Sequence, residues 1–326
     1  MKYLFFIVIF IFTTNLFALL DLDKMAQPFV LETKRIHISG YPDAFNPSIV
    51  RWNNRLLMSF RSRDPFTNQA TIVGFTWLDN DFNPIGEPQL LEINWNKMDS
   101  HIQDPRLFIV KDKLYMAYSD MIENPELKVK KRTMCVSEIK YDGVSFVANF
   151  RNAFHYFQGD KNNKFEKNWV PFDYEGFALL AYTISPHKIF FPLFGEEKCV
   201  LFAESSQFNP WNWGVLRGGT TALLINDNHY LSFFHSSTTL STVQSKGKSM
   251  THYFMGAYLF ENRPPFTIRK ISPDPIINKN FYNGEPYKTW KPMRVIFPCG
   301  FIFDKKYIWI SYGRQDYEAW KIGRAS

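Results

Sequence analysis

One phrase recurs five times along this 326-residue chain. An apolar run meets a short polar turn, then continues into a second run that carries an aromatic near its end. The copies read NPSIVRWNNRLLMSFRS (46–62), DPRLFIVKDKLYMAYSD (104–120), KNWVPFDYEGFALLAYTIS (167–185), GGTTALLINDNHYLSFFHS (218–236) and FPCGFIFDKKYIWISYGRQD (297–316). Turns of Asn, Asp, Gly or Lys between two strand-like runs are the signal of a β-hairpin. The aromatics are Phe60, Tyr118, Tyr182, Phe234 and Tyr312. The copies lie about 50 to 80 residues apart, at or somewhat above the roughly 40–50 residues of a propeller blade. Further β-rich stretches, such as ATIVGFTWLD and MGAYLFENRPPFTIRKI, fill the intervals. No long segment has helical periodicity, and the 19 prolines are spread throughout. Five hairpins with intervening strand pairs predict an all-β chain, a five-bladed β-propeller over residues 21–326, since blades around a channel avoid long exposed edges.

Bulk properties narrow the partners. A chain that is 45% hydrophobic and 18% aromatic is not a disordered one. The net charge of +7 is scattered, apart from the run Lys128–Arg132, and reads as a solvated surface rather than a nucleic-acid footprint. The start, MKYLFFIVIFIFTTNLFALLDLDK, has a lysine, a short apolar stretch and Ala18. That is the layout of a signal peptide over residues 1 to about 20, too short for an ordinary spanning helix. It predicts a secreted or periplasmic protein; an uncleaved N-terminal membrane anchor is the alternative. Cys135, Cys199 and Cys299 are far apart and odd in number, so they form neither a disulfide framework nor a zinc site. The histidines lack ligand-like clustering, and no metal is expected.

Equivalent positions of propeller blades converge on one axis. Beside the first strands stand Asn46, Asp104, Arg106, Lys167, Asn168 and Arg217; at the ends of the second stand Arg61, Asp120, His235, Arg314 and Asp316. So many charged and amide groups suit a funnel that grips a polar substrate, because unpaired buried charge is costly. Each residue also has a plainer reading. Asp104 before Pro105 is a turn former, and Arg106 is its partner. Lys167 is a solvated loop lysine, His235 a core histidine, and Arg217 a turn residue beside Gly218 and Gly219. Taken singly, both readings stay open; the shared register is what groups the set.

The motifs DPRL, EKNWVPF, LRGGTTALL, YLSFFHS, YFMGAYLFE and VIFPCG…SYGRQD occur in this order between about Asn46 and Asp316. This order resembles family 130 of the glycoside hydrolases, the β-mannoside phosphorylases and their relatives, whose fold is a five-bladed propeller. The resemblance implies that Asp104 is the proton donor of an Asp-Pro-Arg motif that includes Arg106. It implies that Arg61 and Asp120 hold the sugar beside the bond to be cut, and that Asp316 is a sugar contact. Lys167 and His235 resemble members of the phosphate-binding set. Asn46 and Asn168 join the substrate-binding set by position. Two departures stand out: the strand after the Lys-Asn pair lacks the family's arginine, for which Arg217 is the candidate substitute, and Arg314 and Gln315 replace small residues.

The expected activity is therefore an inverting glycoside phosphorylase or hydrolase acting on β-mannoside-type oligosaccharides. Asp104 is the general acid, and phosphate or water is the nucleophile. Inorganic phosphate is the one co-substrate implied, and no cofactor is. A phosphorylase needs cations to position its anion, for which Lys167, Arg217 and His235 are the candidates; an inverting hydrolase needs a second carboxylate, for which Asp316 or Asp120 would serve. The alternatives are a mannosyltransferase of the same fold and a non-catalytic carbohydrate-binding propeller.

Overall fold

The computed structural model describes residues 19–326 apart from 65, 67–71, 96–99, 125, 127, 160–164, 207–209, 285–291, 305–306 and 326. Nearly all of the assigned signal segment lies outside the described residues. Among those described, no helix is long and apolar enough to cross a membrane.

Five sheets form the five blades. Blade I holds Phe45–Trp52, Arg55–Ser62, Ile72–Leu78 and Pro84–Leu90. Blade II holds Gln103–Val110, Lys113–Glu123, Lys130–Tyr141 and Phe146–Ala148, with Glu92–Ile93 added outside. Blade III holds Val170–Tyr174, Phe177–Thr183, His187–Leu193 and Lys198–Ser205. Blade IV starts with two short strands, Arg217–Gly218 and Leu223–Asn226, followed by His229–Ser241, Ser249–Glu261 and Ile268–Ile271. Blade V takes Ile296–Asp304, Tyr307–Arg314 and Glu318–Ala325, and its outer strand is the N-terminal Val30–Arg35. The ring is thus closed by pairing the two ends of the chain. Every predicted hairpin is the inner strand pair of one blade, and the first strand of blade I packs against those of blades II and V.

Local chemistry explains the hairpins. Blades I, II and III turn at Asn53–Asn54 (φ 49° and 58°), Lys111–Asp112 (47° and 64°) and Glu175–Gly176 (52° and 80°). Two successive left-handed residues match the twist of the strands they join. Around these turns the apolar strand faces are buried, and the three cysteines are buried and unpaired.

Two of the five aromatics have a partner that the sequence pattern does not reveal. Phe60 lies directly across from Gly74, and Phe234 from Gly256. A Cβ on Gly74 would meet the Phe60 ring at 2.3 Å, and one on Gly256 would meet the Phe234 ring at 2.3 Å. Trp309 sits over Gly323 in the same way, at 2.5 Å. A ring laid over a cross-strand glycine covers backbone that would otherwise lack packing. Both Phe rings are fully buried and have no room to swing away. Gly256→Ala is expected to destabilise the fold by about 1–3 kcal/mol, as overpacking does. Chemical denaturation measures it, with Phe234→Leu in the same chain recovering part of the loss; a wild-type midpoint for Gly256→Ala would refute the packing account.

Candidate active site

The inner strands of blades I and II slip register at the same point, between Phe45 and Ser48 and between Gln103 and Arg106. Pro47 and Pro105 occupy the slips, where the ladder needs no N–H. The residues before them, Asn46 and Asp104, have φ of 48° and 55°. Asn and Asp tolerate that left-handed conformation better than other L-residues. Asn168, opening blade III, has φ 68°. The turn reading and the site reading of Asp104 are therefore one fact: the bulge makes the turn and aims the carboxylate.

Asp104 is 7% exposed. Its Oδ1 accepts from Arg61 Nη1 at 2.8 Å and from Asn46 Nδ2 at 2.9 Å. Arg61 in turn lies over the Phe45 ring, 4.7 Å from its centroid. Burial alone would raise the Asp104 carboxyl. The Arg61 charge, then Lys167 and Arg106, outweigh burial and hold it well below the usual carboxylate range. In the unliganded site Asp104 is thus a carboxylate rather than the protonated acid expected of a resting proton donor.

Arg106 is almost fully buried. Its Nε donates to Gly219 O and its Nη2 to Asn168 Oδ1 at 2.9 Å. The two glycines are required by close approach: a Cβ on Gly218 would lie 2.0 Å from Asn168 O, and one on Gly219 would lie 2.4 Å from Phe233 O. Gly218 O accepts from His235 Nδ1 at 2.8 Å. The His235 ring stacks beside Tyr253, with centroids 5.8 Å apart. Burial, then Arg106, Arg217 and Lys167, push the imidazole down to about 3. At neutral pH His235 is uncharged, with Nδ1 as donor and Nε2 as acceptor. It does not serve as one of the positioning cations expected from the sequence; it offers a lone pair to a hydroxyl or an acidic phosphate.

Asp316 stands at the tip of the hairpin between Tyr307–Arg314 and Glu318–Ala325, where Gln315 and Asp316 have φ of 55° and 58°. Burial first, and the Asp104 charge second, raise its carboxyl to about 6, against the opposing pull of Arg61, Lys167 and Arg63. Arg63 is a residue the sequence reading missed. It is 8% exposed, its Nη2 donates to Asp316 O at 3.4 Å, and it shares the Phe45 ring with Arg61. Its spacing, two residues after Arg61 on the same strand face, was the available signal. Tyr253 was missed as well.

Two expected axis residues are placed elsewhere. Asp120 is 0% exposed, and both oxygens are occupied. Oδ2 accepts from Ser100 Oγ at 2.8 Å and Arg151 Nη1 at 3.0 Å, and Oδ1 from the backbone N–H of His101 and Met121. Fully buried and bonded on both oxygens, it has no surface left for a sugar. Arg314 pairs with Glu318 at 3.0 Å, lies over Trp320 and donates to Asn280 O and Asn283 O, so its charge is engaged there.

Beside Arg106 opens a crevice of about 700 Å³, lined by Gln103, Arg132, Lys167, Asn168, Arg217 and Gly218 with an aromatic wall at Trp169 and Tyr182. Among the described residues, Lys167 and Arg217 have no carboxylate within ion-pair reach. The arrangement is a buried carboxylate, Asp104, electrostatically coupled to the partly buried Asp316, beside a crevice lined by Arg132, Lys167 and Arg217 and by the single carboxylate Glu166 among its lining residues. Its chemistry is general acid–base work on a polar substrate with an anion bound alongside.

A family model described as beta-1,4-mannooligosaccharide phosphorylase, that of glycoside hydrolase family 130, matches residues 21–323. Comparison with curated proteins gives no match. Three similar solved structures cover the range of activities. One represents the GH130 family of mannoside phosphorylases, described as containing glycoside hydrolases that target β-1,2 mannosidic linkages in Candida mannan; it has a TM-score of 0.61 and 11% identity, over 95% of this chain and 97% of that one. The mannose phosphorylase MPT-4 of Leishmania mexicana, in complex with phosphate ion, has a TM-score of 0.58 and 12% identity, covering 93% and 90%. MPT-1, a GDP-Man-dependent mannosyltransferase from the same organism, has a TM-score of 0.59 and 12% identity, covering 92% of each chain. At these identities the likeness carries the fold alone.

The raised carboxyl of Asp316 has a consequence for stability. A carboxyl raised on folding is unfavourable wherever it must ionise, so the penalty is full above about 6 and fades as pH falls towards the ordinary value of 3.8. Asp316→Asn is expected to stabilise the unliganded protein by about 1–3 kcal/mol at pH 8, with the gain vanishing near pH 4. Thermal denaturation across that range checks it; a gain that grows on acidification would rule the assignment out.

Proposed function

The chain belongs to glycoside hydrolase family 130, and on that premise we propose that it cleaves β-mannosidic linkages with inversion, using inorganic phosphate as nucleophile. The observation that carries the choice of phosphate is the crevice beside Arg106, where, among the described residues, Lys167 and Arg217 have no carboxylate within ion-pair reach. A positive crevice of this kind would hold a phosphate dianion in place for attack on the anomeric carbon.

In the reaction a phosphate oxygen forms the new bond to the anomeric carbon as the glycosidic C–O bond breaks on the opposite face. The leaving oxygen takes a proton, and a sugar 1-phosphate is released. Asn46, Arg61 and Asp316 would hold the sugar, with Asn168 on the crevice side. Asp104 supplies the proton, which the family resemblance routes through a sugar hydroxyl. Its unliganded ionisation sets a condition on that role. A dianion bound beside Lys167 cancels part of the positive field that keeps Asp104 charged, and Asp316 is a second carboxyl able to hold a proton near neutral pH. The proton then belongs to the pair rather than to either residue.

Hydrolysis is the second reading, favoured by the same Asp316: above pH 6 it is an ionised carboxylate of the kind an inverting hydrolase needs to activate water.

The test is turnover of a panel of manno-oligosaccharides with and without phosphate, identifying the released sugar. Phosphate-dependent release of a sugar 1-phosphate is expected. Asp104→Asn should lower kcat by at least about 10²–10⁴-fold while sugar binding persists. Equal turnover without phosphate would move the assignment to hydrolysis. Full activity of Asp104→Asn would remove the residue from the chemistry, and glycan binding with no turnover of any mannoside would leave a binding propeller.

A further inference from the structure

A third cation reaches the crevice, from a strand that neither the sequence motifs nor the family resemblance marks. Arg132 lies on Lys130–Tyr141, the third strand of blade II, and is 8% exposed. Its Nη1 donates to His101 O at 3.1 Å, and to Ser119 O and Ser119 Oγ at 3.5 Å. These acceptors are all neutral. Its Nε and Nη2 make no hydrogen bond among the described residues.

The charges around Arg132 are mixed. Asp104 and Asp120 attract it and Arg61 repels it, but no carboxylate comes within ion-pair reach among the described residues. Asp104 is already paired with Arg61, and Asp120 with Arg151. Glu166 is the carboxylate among the lining residues, and its Oε2 accepts from Trp169 Nε1 at 3.2 Å. On the blade III side Thr183 brings no charge, and its hydroxyl donates to Pro186 O at 2.5 Å.

An arginine more than nine-tenths buried, with no carboxylate in ion-pair reach among the described residues, is unfavourable unless an anion completes it. Arg132, Lys167 and Arg217 come from three different parts of the chain and line one crevice. We propose that Arg132 is the third cation of the phosphate site, holding a phosphate oxygen with its free Nε–Nη2 edge while Nη1 fixes the His101 carbonyl. The proposal rests on the phosphorolytic reading above and adds a residue to it. The Nε–Nη2 edge presents two parallel donors, the geometry that grips a phosphate bidentately.

The experiment uses inorganic phosphate as the probe on the full chain. Phosphate is expected to raise the Tm of the wild type. In Arg132→Gln the phosphate concentration for half of that effect, and the KM for phosphate, should rise about tenfold or more, with a smaller change in the KM for mannoside. Arg132→Lys should fall between the two. In the wild type, bound phosphate should also shield Arg132 from an arginine-specific dicarbonyl reagent, read on its peptide by mass spectrometry. That measurement decides the matter if Arg132→Gln fails to fold. Wild-type phosphate affinity in Arg132→Gln, or no shielding, overturns the role of Arg132 and leaves the phosphate reading intact. A wild type that responds to phosphate in neither Tm nor turnover overturns both.

Discussion

A carboxylate buried beside the axis of five sheets has to be compensated, and much of this site follows from how that is done. Leaving Asp104 without a partner would cost several kcal/mol. Arg61 supplies the charge and Asn46 a hydrogen bond, from the two inner strands of the neighbouring blade. Arg61 needs its own support and lies over Phe45, which also carries Arg63. On the other side Arg106 adds positive charge, but it is itself buried and needs acceptors. Gly219 O and Asn168 Oδ1 provide them, which requires blades III and IV to approach so closely that a side chain at 218 is excluded, while one at 219 would meet Phe233 O within blade IV. A single buried charge thus ties together the openings of four blades. It also adds to burial in raising the Asp316 carboxyl, because a charge fixed on Asp104 opposes a second one nearby.

The cations of the funnel fall into two groups. Arg61 and Arg106 are committed to groups of the protein. Lys167, Arg217 and the Nε–Nη2 edge of Arg132 are not, and together these three residues line the crevice next to the committed pair. Electrostatic preorganisation has this form: the field is assembled before the ligand arrives, so little reorganisation accompanies binding. His235 belongs to neither group. Held neutral by burial and by the surrounding cations, it contributes direction rather than charge.

The fold was legible in the sequence to the extent that it was local. Turn residues, apolar runs and closing aromatics are contiguous, so each inner hairpin declared itself. The glycines opposite Phe60 and Phe234 did not, because pairing them requires the register of a third strand 14 or more residues away. The same limit applied to the site. Asp104 and Arg106 stood beside a bulge proline and were found. Asp120 was misplaced by one residue: Ser119 pairs with Gln103 as Arg61 does with Phe45 and His235 with Arg217, so Asp120 takes the opposite face of its strand. Arg132 was concealed by its neighbours. It ends the basic run Lys128–Arg132, a composition that reads as solvated, yet it turns inward.

Closure of the ring bears on the chemistry as well as on stability. Blade V owes its outer strand to Val30–Arg35, paired with Glu318–Ala325, and that partner strand leads directly from the Gln315–Asp316 turn. Glu318, its first residue, pairs with Arg314 and also with Arg35 at 3.2 Å. The tip that carries Asp316 is therefore braced at its base by the N-terminal end of the chain. A carboxyl whose proton affinity depends on distance from Asp104 needs a fixed position, since a shift of an ångström or so changes the coupling between two charges in a medium of low dielectric constant. The N-terminal strand thus supports more than the perimeter of the propeller. Through Glu318 and the turn above it, ring closure holds the second carboxyl where burial and, after it, the charge on Asp104 raise its proton affinity.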